Sequence, residues 1–123
     1  MLLLLFDSKL PLKVNPSYMY SGQKSFPQKR DTDRVTMTVD FKDVLSDGEE
    51  ITSATWFVEK MGSPDVNVKE MLYATPVVNG SMVLQMIEGG EPGNVYEPYC
   101  IALTSGFQKL SLPEPGKGLL KIA

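Results

Sequence analysis

The chain has 123 residues, of which 42% are hydrophobic and 22% are charged, and this composition is ordinary for a single globular domain. The net charge of −3 argues against binding to duplex nucleic acid, because such binding needs a concentrated basic face. The sequence contains no histidine. This excludes Ser-His and Cys-His nucleophile pairs and most zinc sites, so the composition argues against an enzyme.

The sequence starts with an apolar run, Met1–Phe6. No basic residue precedes the run and Asp7 ends it, so it is too short for a signal-peptide core or a membrane span. We therefore expect no membrane partner. Two interpretations stay open: the run is a strand packed on the domain's own surface, or it is an arm that docks on another subunit.

Prolines and small polar residues dominate the stretch from Asp7 to Arg30, which favours an extended connection over a helix. We predict an extended N-terminal arm over residues 1–30 and a β-sandwich domain over residues 31–123. A sandwich with its own complete core has little room for the apolar groups of the arm, so we expect these groups to bind a partner. The predicted partner-binding residues are Leu2, Leu3, Leu4, Leu5, Phe6, Tyr18, Tyr20 and Phe26.

The stretch Arg34–Glu59 predicts two strands joined by a turn. Its first half alternates apolar and polar side chains with a period of two, which is typical of a half-buried strand. Ser46-Asp47-Gly48 supplies the turn. In the second strand Trp56 shares the core face with Ala54 and Val58, whereas Ile51 is out of phase and predicts a bulge near Thr52-Ser53.

Further short strands follow at regular intervals. Asn79-Gly80 predicts a hairpin with a type I′ turn, and the next strand, Met82–Ile87, is apolar at nearly every position. The glycine-rich stretch Glu88–Asn94 predicts a loop, which we expect the Tyr96 hydroxyl to hold in place as in a tyrosine corner. We predict the remaining strands at Val66–Val68, Met71–Tyr73, Val95–Thr104, Phe107–Leu112 and Leu119–Ile122.

Roughly seven strands in about ninety residues, without convincing helical periodicity, predict an all-β fold. We expect an immunoglobulin-like antiparallel β-sandwich with an extended N-terminal arm. Pro98 interrupts one of the long strands, and we expect its missing amide donor to face an edge or a bulge.

The search for catalytic or metal-binding residues yields weak candidates. The carboxylate pairs Glu49/Glu50 and Glu88/Glu91 fall in predicted turns, where a solvated role is the usual one. Asp40, Asp43 and Asp47 resemble a calcium-binding spacing only loosely, and Gly89-Gly90-x-x-Gly93 lacks the Lys-Ser/Thr and the helix of a phosphate-binding loop. Cys100 is the single cysteine, and its strand context predicts a buried, reduced thiol.

A carbohydrate-stacking platform is a further alternative, formed by Trp56 and Tyr73. The position of Trp56 in a predicted core strand favours packing over ligand binding. We therefore predict no catalytic residue, no metal ligand and no cofactor-binding residue in this chain.

Two segments carry a resemblance to a known family. VDFKDVLSDGEEITSATWFV and EGGEPGNVYEPYCIALTSG resemble small β-sandwich proteins of tailed bacteriophages, described as fibre–tail adaptors. The resemblance covers Val39–Gly106, and its motifs describe a fold more than a site. The first segment contributes Asp40, Phe41, Asp47, Gly48, Glu49, Ile51, Ser53, Ala54, Thr55 and Trp56, and the second contributes Gly89, Gly90, Gly93, Tyr96, Thr104 and Ser105.

The resemblance implies a non-enzymatic structural protein of a tailed-phage virion, assembled in the cytoplasm of the bacterial host. Such a protein joins tail fibres or connector components at the neck or tail, and it forms oligomers within the particle. Two alternatives stay open from the sequence: an immunoglobulin-like capsid decoration protein and a carbohydrate-binding module.

Overall fold

The computed structural model of the protein describes residues 18–123, in which eight strands and one 3-10 turn occur. The strands lie at β1 Arg34–Asp40, β2 Ile51–Lys60, β3 Ser63–Asn67, β4 Leu72–Asn79, β5 Met82–Glu88, β6 Val95–Thr104, β7 Lys109–Leu112 and β8 Leu120–Lys121, and the 3-10 turn at Lys69–Met71. All pairings between these strands are antiparallel. The predicted all-β fold is therefore confirmed.

The strands form two sheets. One sheet has the order β1-β5-β4, and the other has the order β3-β2-β6-β7, with the short β8 also paired to β6. The predicted alternation places Met37 and Val39 of β1 on the inner face, where they meet Trp56 and Val58 of β2 in one buried cluster. Trp56 is 2% exposed, so its predicted position in the core is confirmed.

Two predicted irregularities are present. The β2–β6 register shifts between Ile51 and Ser53, as the out-of-phase Ile51 predicts. Pro98 pairs with Val58 of β2, but on its other side β7 pairs only from Cys100 onward and β8 only as far as Tyr96. The proline therefore lies at a gap between two short strands, where no ladder hydrogen bond is lost.

The details of three turns differ from the prediction. The β4–β5 hairpin is present, but Gly80 and Ser81 are its central residues and only Gly80 has a positive φ, 64°, so the type I′ turn is wrong. The strand after β2 begins at Ser63 and not at the predicted Val66, so the turn is tight and Pro64 lies inside the edge strand β3, where a missing amide donor is tolerated. Phe107 precedes β7 instead of starting it.

Residues 18–30 pack onto the two sheets as part of the same body. Met19 forms a parallel bridge with Thr38 of β1, while Ser25 and Lys29 form parallel bridges with residues of the C-terminal stretch. Tyr18, Tyr20 and Phe26 belong to the hydrophobic core cluster. Since these contacts continue across residue 30, a domain boundary there does not match the packing of the described residues.

The buried cation Lys29 ties this segment to the sheets. Its side chain is 1% exposed, and its Nζ donates to the carbonyl oxygens of Arg30 at 2.8 Å, Asp33 at 2.9 Å and Gly89 at 2.7 Å. Burial lowers the pKa of Lys29 from its ordinary value, although Asp33 and Asp31 act in the opposite direction. Three satisfied donors explain why a lysine is tolerated in this interior position.

We expect Trp56→Ala to lower the free energy of unfolding by about 3–5 kcal/mol, because it leaves a cavity between the sheets. This is a large part of the ~5–15 kcal/mol available to a domain of this size. Trp56→Phe should cost much less, since it keeps an aromatic ring and removes the buried Nε1–H, which has no hydrogen-bond partner among residues 18–123. Chemical denaturation measures both. An unchanged denaturation midpoint for Trp56→Ala would contradict the core assignment.

Candidate docking surfaces

The described residues hold little that is suited to catalysis. The thiol of Cys100 is fully buried, and this burial raises its pKa to about 12, so it is not a nucleophile near neutral pH. Within residues 18–123, no group of three Asp, Glu or Cys side chains is placed to hold a metal ion. Asp40, from the calcium-like spacing, instead accepts from the Lys42 amide at 3.0 Å and the Ser81 hydroxyl at 2.6 Å.

The glycine-rich loop uses its amides internally. The amide of Gly93 donates to the carbonyl oxygen of Ile122 at 2.8 Å, and the amide of Glu91 donates to the Tyr96 hydroxyl at 2.9 Å. The predicted tie between Tyr96 and this loop is therefore confirmed. Gly90 has a φ of 95°, and a Cβ at this residue would lie 2.7 Å from Cγ1 of Ile122. Glycine is thus needed for close packing, a structural reason for the motif.

The paired carboxylates form surface contacts. Glu88 forms an ion pair with Arg34 at 3.0 Å, and Glu91 forms one with Lys60 at 2.9 Å. The lysine side chain lowers the pKa of Glu91. Glu49 accepts from the Ser46 amide and the Thr104 hydroxyl, and these hydrogen bonds lower the pKa of its carboxyl group. Glu49, Glu88 and Glu91 therefore each have a local structural role.

The structure revises the predicted partner-binding set. Tyr18, Tyr20 and Phe26 are 8%, 8% and 5% exposed, and their rings contact one another with centroids 6.3 Å apart. Side chains buried to this extent offer almost no surface to a partner, so we correct their assignment to core residues. The other members of the set, Leu2–Phe6, lie outside the described residues.

Apolar surface instead occurs on the outer face of the three-stranded sheet, to which the strand predicted to be apolar at nearly every position, Met82–Ile87, contributes. Cross-strand pairing places Tyr73 beside Met86 and Val77 beside Leu84, and Met86 beside Thr36. We call these five residues the outer sheet face. Tyr73, Val77 and Met86 are 40%, 57% and 43% exposed. Val77 and Met86, together with Thr36 and Leu84, line a shallow depression of about 300 Å³.

Polar groups border the outer sheet face. The guanidinium carbon of Arg34 lies 3.6 Å from the centroid of the Tyr73 ring, and the same side chain pairs with Glu88. An apolar centre with a polar rim is the usual anatomy of a protein–protein interface. The sequence signal for this surface is the alternation along β5. Successive side chains of a strand lie on opposite faces, so Met82, Leu84 and Met86 cannot share the core face with Val83 and Ile87.

A second surface lies at one end of the two sheets, where three connections meet. They are the loop at residues 41–50, the β4–β5 turn and the β6–β7 turn, and we call them together the loop end. A depression of about 430 Å³ at the loop end is lined by Leu45, Glu49, Glu50, Ile51, Val78, Gly80 and Ser81. Val44, Val78 and Phe107 expose apolar surface here.

The Tyr20–Glu114 hydrogen bond makes the stability of the protein sensitive to pH in the alkaline range. The Tyr20 hydroxyl donates to Glu114 Oε1, and burial together with this hydrogen bond raises the pKa of Tyr20 to about 12, above its ordinary value of 10.0. The unfolded chain therefore loses this proton first. The stabilisation is complete below pH 10.0 and is lost as pH rises toward about 12.

We expect Tyr20→Phe to lower stability by about 1 kcal/mol at neutral pH, because it removes one hydrogen bond. Across the interval from pH 10.0 to about 12, this variant should lose less stability than the unmodified chain. Thermal unfolding followed over this pH range measures the difference. Parallel pH profiles for the two proteins would show that Tyr20 does not titrate as described.

Residues 18–123 contain no helix that is long and apolar enough to cross a lipid bilayer. No match to this chain was found among curated proteins. The family model described as podophage GP4 fiber-tail adaptor protein gp77 matches residues 29–111, which is more than half of the chain. This match confirms the resemblance drawn from the two motif segments. The chain therefore belongs to the podophage GP4 fiber-tail adaptor protein gp77 family.

Proposed function

We propose that the protein is a structural component of a tailed-phage virion that joins tail fibres to the tail. The family match over residues 29–111 is the observation that carries this proposal. Its description concerns the fibre and the tail, and so favours this role over capsid decoration. Assembly in the host cytoplasm and several copies per particle are part of the proposal.

A non-enzymatic role agrees with the chemistry of the described residues. The thiol of Cys100 is buried, the sequence has no histidine, and Glu49 and Asp40 already accept local hydrogen bonds, which argues against acid–base catalysis by these groups. Carbohydrate stacking has little support, because Trp56 is buried and Arg34 covers the Tyr73 ring.

We further propose that the fold is immunoglobulin-like. The order β1-β5-β4 opposite β3-β2-β6-β7 corresponds to strands B-E-D opposite C′-C-F-G of such domains. In this correspondence Trp56 lies on strand C and Tyr96 lies at the start of strand F, where immunoglobulin domains carry their core tryptophan and their corner tyrosine. A rigid sandwich of this kind suits a connector that transmits force between two parts of a particle.

The outer sheet face is the docking surface that we propose for a neighbouring virion protein. Its exposed Tyr73, Val77 and Met86 lie on strands that pair with each other, so little backbone entropy is lost when a partner covers them. Leu2–Phe6 stay a proposed second contact, as an arm that docks on another subunit. The buried Tyr18, Tyr20 and Phe26 are not part of it.

Reconstruction of the intact particle tests the proposed role. We expect density for this chain at the junction of the tail and its fibres. Density on the capsid shell alone, or the absence of the chain from purified particles by mass spectrometry, would refute the proposal.

Met86→Glu tests the outer sheet face. A carboxylate at this position would be buried without a partner in the interface, so we expect fibre retention to fall by about tenfold or more. Val66→Glu is the matched control, because Val66 is 57% exposed on β3 of the other sheet. Fibres per particle, counted by electron microscopy, measure both variants. Equal counts for Met86→Glu and the unmodified chain would exclude this face.

A further inference from the structure

Phe107 is the most exposed large apolar side chain among the described residues. It lies in the β6–β7 turn at the loop end and is 92% exposed. Its φ is 64°, in the left-handed region that glycine and asparagine adopt readily and that an aromatic residue rarely adopts. The protein thus exposes a hydrophobic ring to water and keeps its residue in an unfavourable backbone conformation.

Hydrogen bonds from Thr104, Ser105 and the loop at residues 41–50 hold the backbone of this turn. The Thr104 hydroxyl oxygen accepts from the amides of Gly106 and Gln108, both at 3.2 Å, and the Thr104 hydroxyl donates to Glu49 Oε2. The amide of Ser105 donates to the carbonyl oxygen of Glu50 at 2.8 Å. In return the amide of Glu50 donates to the Ser105 hydroxyl at 2.9 Å.

Folding does not account for the choice of phenylalanine. The side chain adds nothing to the core, and glycine or asparagine would relieve the backbone strain in the same turn. Strained residues that the surrounding structure keeps in place concentrate at functional positions. An aromatic side chain on a backbone that is already held in place is also a usual form of interface anchor.

The surroundings of the Phe107 turn indicate the chemistry of the partner. Glu49, which accepts from Thr104 in this turn, also lines the depression at the loop end, whose apolar walls come from Leu45, Ile51 and Val78. The loop at residues 41–50 carries four carboxylates and one lysine: Asp43, Asp47, Glu49 and Glu50 against Lys42. An apolar anchor with an acidic border fits an apolar pocket with a cationic border.

We propose that Phe107 is an anchor residue that inserts into an apolar pocket, bordered by Lys or Arg, on another protein of the particle. This proposal rests on the proposed function, since the virion supplies the partner. It places a contact at the loop end, separate from the outer sheet face. The hydrogen-bonded turn prepares the ring for insertion before the two proteins meet.

The test uses particles assembled from a phage with a stop codon in the gene for this chain, to which purified full-length protein is added. We expect Phe107→Asn to bind these particles at least about tenfold more weakly than the unmodified chain. Its melting temperature should be equal or higher, because asparagine relieves the strained backbone. Phe107→Tyr should retain binding, and raised salt should slow association of the unmodified protein.

Met61→Ala is the control, because Met61 is 51% exposed at the opposite end of β2. This variant should bind normally. Normal binding of Phe107→Asn, or a fall of several degrees in its melting temperature, would overturn the anchor role.

Light scattering of the free protein tests the identity of the partner. The unmodified chain could form an oligomer that Phe107→Asn does not form, while the monomers of this variant still bind particles. In that case the partner is a second copy of the chain and our assignment is wrong. If the unmodified chain does not bind the deficient particles, the proposed function itself fails. The two failures are therefore distinguishable.

Discussion

The ammonium group of Lys29 is the interaction on which the arrangement of the described chain depends. It lies where the N-terminal segment, the end of β5 and the C-terminal stretch meet, and it donates to the carbonyl oxygens of Arg30, Asp33 and Gly89. The carbonyl oxygen of the same residue accepts from the amide of Ala123 at 2.8 Å. One residue thus joins parts of the chain that are distant in sequence. An apolar side chain there would remove the ammonium donor from the carbonyl oxygens of Asp33 and Gly89, a cost that hydrophobic contact does not offset.

Alternation of side chains made the core predictable. Residues of β1 and β2 follow a period of two, so their inner faces, the position of Trp56 and the bulge after Ile51 were readable from the sequence. Tyr96 was readable for a different reason. Its position directly after a glycine-rich loop indicates a hydroxyl that binds loop amides.

The features that the sequence did not reveal depend on contacts across long separations. From the sequence alone, Tyr20 and Phe26 look like exposed residues of an arm that binds a partner. Their neighbours in the C-terminal stretch, which make them core residues, are known only from the structure. Phe107 reads as the first residue of a strand, because nothing local shows that Thr104 closes the turn around it. Pro64 reads as a loop residue because sequence alone does not identify an edge strand.

The two candidate docking surfaces differ in the way each is made rigid. The outer sheet face is held by the ladder of three strands, whereas the loop end is held by side-chain hydrogen bonds from Thr104, Ser105 and Glu49. Both surfaces are already formed in the free chain. A connector with two prepared surfaces can bind two neighbours in either order, without a conformational change that couples one event to the other.

The interruption of β4 has a consequence for solubility. β4 is an edge strand next to the exposed apolar face, an arrangement that invites stacking of sheets into fibres. Its register shifts between Tyr73 and Val77, Ala74 has a φ of 65°, and Pro76 lacks an amide donor. The side-chain Nε2 of Gln85 donates hydrogen bonds to the carbonyl oxygens of Tyr73 and Ala74, at 3.0 and 3.1 Å. An incoming strand would not find a continuous ladder along β4, which opposes polymerisation of the chain through this edge.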